Sequence, residues 1–273
     1  MKQFIIGLLL MVLLGVQGTA PAAESTALFN GTDLSGWYPN LVDRATGEDP
    51  NGVFSVVDGL LRLSGEETGG LVTVHGYGDY RLVVEYRWGE ETFAPRVDKA
   101  RDCGVMVHST GVDGGFRGAW KHGIVVQIIE GGTGDFVLLS DGSDKITLTG
   151  PAAEEQQAGC YVFHPDGEEQ TINAGRFNWS GRDAAWADVK GYRGAQDVEK
   201  PVSEWNRMEI IADGAKLSVL VNGVLVNRAT KVTPAWGQIQ LQSEGAEIFF
   251  RKIDLLPLTD YKERKFIYNS DAN

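Results

Sequence analysis

The 273-residue chain has little positive charge, few cysteines and few histidines. It carries 25 Lys and Arg against 37 Asp and Glu, a formal net charge of −12. A nucleic-acid binder would present a basic face to the phosphates, so this balance argues against that class. The sequence also contains no zinc-type Cys/His cluster, no phosphate-binding loop and no nucleophile elbow. Zinc, nucleotide and serine-hydrolase chemistry of the common kinds is therefore excluded.

Long apolar runs are also missing after the first segment. Lys2, the apolar run from Phe4 to Val16 and the small residues Ala20-Pro21-Ala22 predict a cleaved signal peptide over residues 1–22. An uncleaved anchor is the alternative. No later segment has the ~18 uninterrupted apolar residues of a membrane-spanning helix. We expect a secreted or periplasmic protein without a stable membrane anchor, in which Cys103 and Cys160 either pair or stay free.

Helical periodicity is absent from every stretch of ten or more residues, whereas strand patterns are common. Alternating or β-branched runs occur at Tyr80–Trp88, Gly104–His108, Gly123–Glu130, Lys216–Val221 and Gly237–Gln242. The dipeptides Asp213-Gly214 and Asn222-Gly223 are strong hairpin turns. We therefore predict an all-β sandwich of two antiparallel sheets, in one domain over 23–258, followed by a peripheral tail over 259–273.

Seven tryptophans in an acidic chain suit a carbohydrate ligand, because the C–H faces of sugar rings pack on indole. Four are predicted to lie in the core: Trp37, Trp88, Trp205 and Trp236. Trp120, Trp179 and Trp186 lie in loops rich in glycine and charge, where a ligand role and a structural role stay open. The residues assigned to substrate binding are Trp120, His122, Asp135, Trp179 and Arg182.

The candidate catalytic residues lie on the strand patterns. His108 ends one strand and Gln127 and Glu130 lie on the next, so an antiparallel pair could bring His108 opposite Gln127 or Glu130. A histidine beside a carboxylate can transfer protons near neutral pH. Glu85 and Arg87 share a strand face, either as a structural pair or as part of a groove. These five residues are the catalytic candidates.

A metal site is only a secondary expectation. Glu130-Gly-Gly-Thr-Gly-Asp135 places two carboxylates around a flexible turn, which either binds a divalent metal such as Ca²⁺ or is merely a bend. The spacing does not match an EF-hand loop. We predict no cofactor.

Several segments together resemble the 3-keto-disaccharide hydrolase domain family, long described as a domain of unknown function in secreted bacterial proteins. The segments are Leu28–Trp37, Tyr77–Arg87, Asp102–His108, Gln127–Asp135, Trp205-Asn206, Val221–Gly223 and Gly237–Arg251. The resemblance covers roughly Ala27 to Leu258. It implies a concanavalin A-like jelly roll and a glycoside hydrolase-like enzyme that acts on sugars oxidised at C3.

Two positions depart from the family pattern. The usual glutamate two residues before Gln127 is Val125 here, and many members have arginine in place of His108. Val125 removes a carboxylate that would otherwise be a catalytic candidate. The chain therefore has either a changed active site or a binding site that has lost its chemistry.

The chemistry that the resemblance implies needs one base and one acid. A ketone at C3 acidifies the C2 proton, a base removes it, the C1 aglycone leaves by elimination, and water then adds. His108 or Glu130 is the predicted base, and Arg87, Gln127 or His122 would polarise the ketone. A non-catalytic carbohydrate-binding module is the main alternative, and a protein–protein adhesion domain is the third. The partner is expected to be a carbohydrate and not a nucleic acid. Its sugar, linkage and anomer, and the oligomeric state of the protein, stay open.

Overall fold

The computed structural model of the protein describes residues 25–258. The predicted signal peptide, residues 1–22, and the predicted tail, residues 259–273, lie outside the described residues. Within 25–258 there is no helix long and apolar enough to cross a membrane.

The described residues form nineteen strands in two large sheets and one small sheet. The first sheet contains β1 (Thr26–Ala27), β3 (Phe54–Val57), β4 (Leu60–Leu63), β6 (Tyr80–Thr92), β14 (Asn206–Asp213), β15 (Lys216–Val221), β16 (Val224–Ala229) and β19 (Ala246–Leu256). The second contains β2 (Trp37–Leu41), β5 (Gly69–Tyr77), β7 (Asp102–Thr110), β8 (His122–Ile129), β9 (Phe136–Leu139), β11 (Tyr161–Val162), β13 (Gly175–Asn178) and β18 (Gly237–Ser243). The small sheet contains β10 (Thr147–Ala152), β12 (Glu168–Ile172) and β17 (Lys231–Thr233).

The chain crosses repeatedly between the two large sheets. The order of the first sheet is β16-β15-β14-β6-β19-β4-β3, with β1 beside β19, and that of the second is β11-β13-β9-β8-β7-β18-β5-β2. Neighbours such as β7 and β18 are therefore far apart in sequence. All pairs are antiparallel except β11 and β13, which run parallel. The prediction of an all-β jelly-roll sandwich is confirmed, with the small sheet as an addition that the sequence pattern did not indicate.

The core forms between the inner faces of the two sheets. In β6, Leu82, Val84, Tyr86 and Trp88 point inward and are buried. In the second sheet, alternate residues of β7 and β8 meet them, among them Val105 and Val126. Because successive side chains of a strand point to opposite faces, the residues between these core positions lie on the outer face. That outer face of the second sheet carries the polar residues described below.

The loop from Ser109 to Lys121 folds over part of this outer face. The Asn40 amide donates to the Ala119 carbonyl at 2.9 Å, and the Trp120 indole N–H donates to the Gly69 carbonyl at 2.8 Å. Lys121 also forms an ion pair with Asp113 at 3.1 Å. The loop is thereby fixed over β5 and β2, and it forms one wall of a groove that runs beside it.

Candidate functional site

The groove lies on the outer face of the second sheet and has a volume of about 680 Å³. One half is polar and is lined by Arg96, Asp102, Gln127, Arg176, Gln242 and Glu244. The other half is apolar and is lined by Phe116, Trp120, Val125, Val137, Leu138 and Leu139. A cleft that joins a few converging polar groups to an apolar wall is the usual form of a small-molecule site.

Strand register brings the polar residues together. In the ladder between β7 and β8, Gly104 lies opposite Gln127, so Asp102 and Gln127 are diagonal neighbours on the outer face. On the other side of β7, Gln242 lies near the end of β18, and Glu244 follows that strand directly. Asp102 thus lies between Gln127 and Glu244, which are more than a hundred residues apart in the chain.

Gly104 forms the floor between the two halves of the groove. A Cβ at this position would come within 2.1 Å of the Gln242 side-chain oxygen and 2.4 Å of the Val125 side chain. Any larger residue would displace both neighbours, so glycine keeps the floor open at the junction of the polar and apolar halves.

Asp102 and Glu244 form a hydrogen-bonded carboxyl pair. Asp102 is only 4% exposed, and it also accepts hydrogen bonds from the Arg96 guanidinium and the Gln127 amide. Burial raises the pKa of Asp102 to about 6, although Arg96 opposes the rise. Burial, together with the negative charge of Asp102, raises the pKa of Glu244 well above its usual value. Because the pKa of Glu244 is raised and Asp102 is held by Arg96, a proton shared by the pair resides mainly on Glu244.

Two arginines hold this pair in a positive environment. Arg96 contacts Asp188 at 2.8 Å as well as Asp102. Arg176 contributes a favourable charge to both carboxyls and is itself held by Asp135 at 2.6 Å. Both guanidinium groups thus favour negative charge on the pair.

The structure places Asp135 beneath the groove and not in it. Asp135 is fully buried and accepts hydrogen bonds from Arg176, from Arg182 and from the Trp179 backbone N–H at 2.8 Å. Arg182 in turn lies over the Trp186 ring at 4.3 Å. The predicted substrate residues Asp135 and Arg182 therefore form an internal anchor that fixes Arg176.

The expectation that His108 faces Gln127 or Glu130 is wrong. The ladder pairs Gly104 with Gln127, and the register shifts between Val107 and Thr110. His108 is fully buried in this bulge with φ of +52°, its Nδ1 lies 3.0 Å from the Pro234 carbonyl, and its Nε2 has no partner. The bulge turns the histidine away from the groove, which strand alternation alone does not reveal.

His108 predicts a pH dependence of stability. Burial lowers its pKa to about 4, so the unfolded chain takes up a proton near 6.5 and the folded chain does not. The free energy of unfolding should therefore fall by about 3 kcal/mol from this group as the pH falls from 6.5 to 4. The variant His108→Asn removes the titrating imidazole and replaces it with a residue that tolerates positive φ.

Urea unfolding of the unchanged protein and of His108→Asn from pH 7 to 4 should show that their difference in free energy of unfolding changes in favour of the variant as the pH falls. Because all other groups titrate alike in both proteins, a difference that stays constant would contradict the buried neutral histidine.

Glu130 directly follows β8 and does not line the groove. Its carboxylate accepts hydrogen bonds from the Arg101 guanidinium at 2.8 Å, the Arg101 backbone N–H at 2.9 Å and the Gly191 N–H at 2.7 Å. These contacts fix the loop after β13 to the end of β8. In the turn Glu130–Asp135, both carboxylates are thus paired with arginine. Within residues 25–258, no group of three or more His, Cys, Asp or Glu side chains could hold a metal.

Glu85 and Arg87 lie on the outer face of the first sheet. Glu85 pairs with Arg207 at 3.0 Å and Arg251 at 2.7 Å. Arg87 packs over the Trp205 and Phe249 rings at 5.3 and 4.9 Å. The prediction that they share a face is confirmed, but that face is on the opposite side of the sandwich from the groove.

The tryptophans are divided differently from the prediction. Trp37, Trp88 and also the loop residue Trp179 are buried, whereas Trp236, predicted in the core, is 60% exposed. Trp236 lies over the backbone of Gly76, where a side chain would collide with the indole. Of the aromatic residues assigned to substrate, Trp120 lines the groove. His122 lies at its edge, with Nδ1 3.2 Å from the Leu139 carbonyl and its ring against Phe116.

Cys103 and Cys160 are both free thiols. Cys103 points into the core, where its Sγ lies 3.1 Å from the Gln242 carbonyl. Of the two alternatives, a disulfide or free cysteines, the structure has the free cysteines.

Sequence reasoning missed Asp102, Glu244, Arg96 and Arg176. A signal for the first two was present. Gln238, Gln240 and Gln242 alternate with Ile239 and Leu241, and Glu244 takes the next position of the same face, which predicts a polar strand face that ends in a carboxylate. Asp102 begins a strand pattern whose next two outer positions are Gly104 and Met106. Only the pairing of β7 with β18 shows that the two carboxyls meet.

The match to a family of known proteins agrees with a carbohydrate-active class. The 3-keto-alpha-glucoside-1,2-lyase-like domain family matches residues 24–256, so the chain belongs to that family. No curated protein matches the sequence at a significant level.

Solved structures with a related arrangement share little sequence with this chain. A protein of Parabacteroides distasonis ATCC 8503 proposed to be a glycosyl hydrolase is 16% identical, with 86% of this chain and 94% of that chain covered and a TM-score of 0.49. The carbohydrate-binding module CBM66 of Bacillus subtilis is 12% identical, with 80% and 94% covered and a TM-score of 0.43. A Bacillus licheniformis β-glucanase is 11% identical, with 87% and 99% covered and a TM-score of 0.41.

Proposed function

We propose that the protein cleaves glycosides whose sugar is oxidised to a ketone at C3, by elimination across the C1–C2 bond, with hydration of the product giving net hydrolysis. The observation that carries this proposal is the hydrogen-bonded Asp102–Glu244 carboxyl pair, which lines a groove of the size of a small ligand. Membership of a family described as 3-keto-alpha-glucoside-1,2-lyase-like supports it.

The pair can supply both proton transfers of the elimination. The ketone makes the C2 proton acidic, and the ionised oxygen of the pair removes it to give an enolate. The C1–O bond then breaks, a C1–C2 double bond forms, and the protonated carboxyl gives its proton to the leaving oxygen. The pair ends with one proton and one negative charge, as it began, so no outside acid or base is needed.

The surrounding side chains favour the charged intermediate. Arg176 and Gln242 line the groove, and we assign them to donate N–H groups to the enolate oxygen. Arg96 and Gln127 are bound to Asp102 and fix its orientation. Addition of water to the double bond is the reverse of elimination with water in place of the aglycone, and the same pair serves it.

The decisive experiment is turnover by the purified mature chain. A glucoside oxidised at C3 should give the free aglycone together with a C1–C2 unsaturated ketone or its hydrate, both visible by NMR. The alternative of a carbohydrate-binding module, which Val125 favours by leaving valine in place of the family's glutamate, predicts binding of the glucoside without any product. Binding without turnover would therefore refute the enzyme proposal.

We further propose that this activity is exported from the cytoplasm, which the signal-peptide pattern of residues 1–22 supports.

A further inference from the structure

We propose that the apolar half of the groove binds an apolar ring as the aglycone, so that the preferred substrates are 3-keto-glucosides of apolar alcohols and not disaccharides. This inference rests on the proposed function, because it places the oxidised sugar over the Asp102–Glu244 pair.

The apolar half is a defined cluster on the outer face of the sheet. Met106, Val125 and Leu139 pack together as a second, smaller core, with the half-buried Phe116, Trp120 and Val137 against it. Val125 is 1% exposed and lies between Met106 and Val137 in the ladders. Phe116, Trp120 and Val137 are only half-buried, so they leave apolar side-chain surface open to the groove.

The spacing along the strands matches two linked rings. Gln127 and Val125 are two residues apart on the same face of β8, which is about 7 Å. Asp102 and Met106 are four residues apart on β7, about 13 Å. A sugar centred at the Asp102–Gln127 end therefore puts the group on its C1 over Gly104, whose missing side chain leaves the floor open, and toward the half-buried Phe116, Trp120 and Val137.

Two of the polar groups that line this half of the groove are already in use. The Trp120 indole N–H donates to the Gly69 carbonyl at 2.8 Å, and the Ser140 hydroxyl donates to the Asn173 carbonyl. The Arg117 side chain is exposed and lies over the Phe116 ring at 5.3 Å. Hydroxyl groups of a second sugar could reach the exposed Arg117, but those placed against Val125, Val137 and Leu139 would have no partners, which is costly once water is displaced. An apolar ring has no hydroxyl groups that would lose hydrogen bonds to water, and it gains contact with Phe116, Trp120 and Val137.

A matched pair of substrates tests the preference. One is cyclohexyl α-glucoside oxidised at C3, and the other is maltose oxidised at C3 of its non-reducing glucose. Cyclohexanol is the poorer leaving group, because the neighbouring oxygens of a sugar stabilise its alkoxide, so intrinsic reactivity favours the disaccharide. We expect kcat/KM to be at least about tenfold higher for the cyclohexyl substrate. An equal or higher value for the disaccharide would overturn the inference.

The same valine-to-threonine change at three positions shows where in the structure the substrate preference arises. Val125→Thr and Val137→Thr each put a hydroxyl into the apolar half without changing the branching at Cβ. Val57→Thr makes the same change at an exposed position of the first sheet. We expect the cyclohexyl-to-disaccharide ratio to fall about tenfold in Val125→Thr, to fall less in Val137→Thr, and to stay constant in Val57→Thr. A ratio unchanged in both groove variants would contradict the assignment, and Val137→Thr decides alone if Val125→Thr does not fold.

A binding measurement separates this inference from the proposed reaction. Unoxidised cyclohexyl α-glucoside and maltose cannot be eliminated, and calorimetry gives their affinities whether or not the protein is an enzyme. Tighter binding of the cyclohexyl glucoside without turnover of either oxidised substrate would support the apolar subsite and refute the reaction. Turnover of both substrates with equal affinity for the two unoxidised glycosides would support the reaction and refute the subsite.

Discussion

Replacement of Glu244 by glutamine is expected to lower kcat/KM for a 3-keto-glucoside by about 10²- to 10⁴-fold, the range of a lost general acid or base. Glutamine has nearly the same shape, but it cannot exchange a proton with Asp102. The Asp102–Glu244 pair then loses the cycle in which one carboxyl accepts the C2 proton while the other donates to the leaving oxygen. Initial rates of aglycone release measure this loss directly.

Glu209→Gln is the matched control for this substitution. Glu209 lies on the outer face of the first sheet, where it pairs with Arg81 and Arg207. The control should keep the activity of the unchanged protein. Asp102→Asn should be about as damaging as Glu244→Gln, and the double variant hardly worse than either, because the two residues act as a unit. Full activity in Glu244→Gln would remove the pair from the mechanism.

Replacement of Asp135 by alanine is expected to lower the free energy of unfolding by about 3–5 kcal/mol. The substitution leaves Arg182 and Arg176 without the buried carboxylate that both contact, and it removes the acceptor of the Trp179 backbone N–H. Arg182 is itself largely buried, so its charge cannot be fully hydrated. Urea denaturation followed by tryptophan fluorescence measures the change.

Asp254→Ala provides the comparison. Asp254 pairs with Lys252 at 2.9 Å, with the lysine side chain 41% exposed, and such surface pairs contribute at most about 1 kcal/mol. If Asp135→Ala is no more destabilised than Asp254→Ala, then Asp135 is not the internal anchor of Arg176. A loss of substrate binding without a loss of stability would instead restore the direct substrate role that the sequence suggested.

The sequence was sufficient for the class of fold because its main signals are local. The alternation in Tyr80–Trp88 divides core from surface one residue at a time, and Asn222-Gly223 joins β15 to β16 as a two-residue turn in which both φ angles are positive. Neither feature depends on distant parts of the chain.

The candidate site could not be predicted in the same way, because it is made by pairing between distant strands. Asp102 and Glu244 are 142 residues apart in the chain, and only the neighbouring positions of β7 and β18 bring them together. The bulge at His108 likewise depends on the contact of β7 with the Gly237 end of β18. The nearby strand pair β7–β8 suggested a His108–Glu130 site, but the bulge turns one of these side chains away and Arg101 engages the other.

In the proposed reaction, the Asp102–Glu244 pair removes the C2 proton of a 3-keto sugar. Exchange of that proton with D₂O, followed by NMR in a 3-keto-glucoside, isolates this step from departure of the aglycone. We expect rapid exchange at C2 with the unchanged protein and with Glu209→Gln, and exchange close to the uncatalysed rate with Glu244→Gln and Asp102→Asn. Catalysed C2 exchange that survives in both Glu244→Gln and Asp102→Asn would contradict the role of the carboxyl pair.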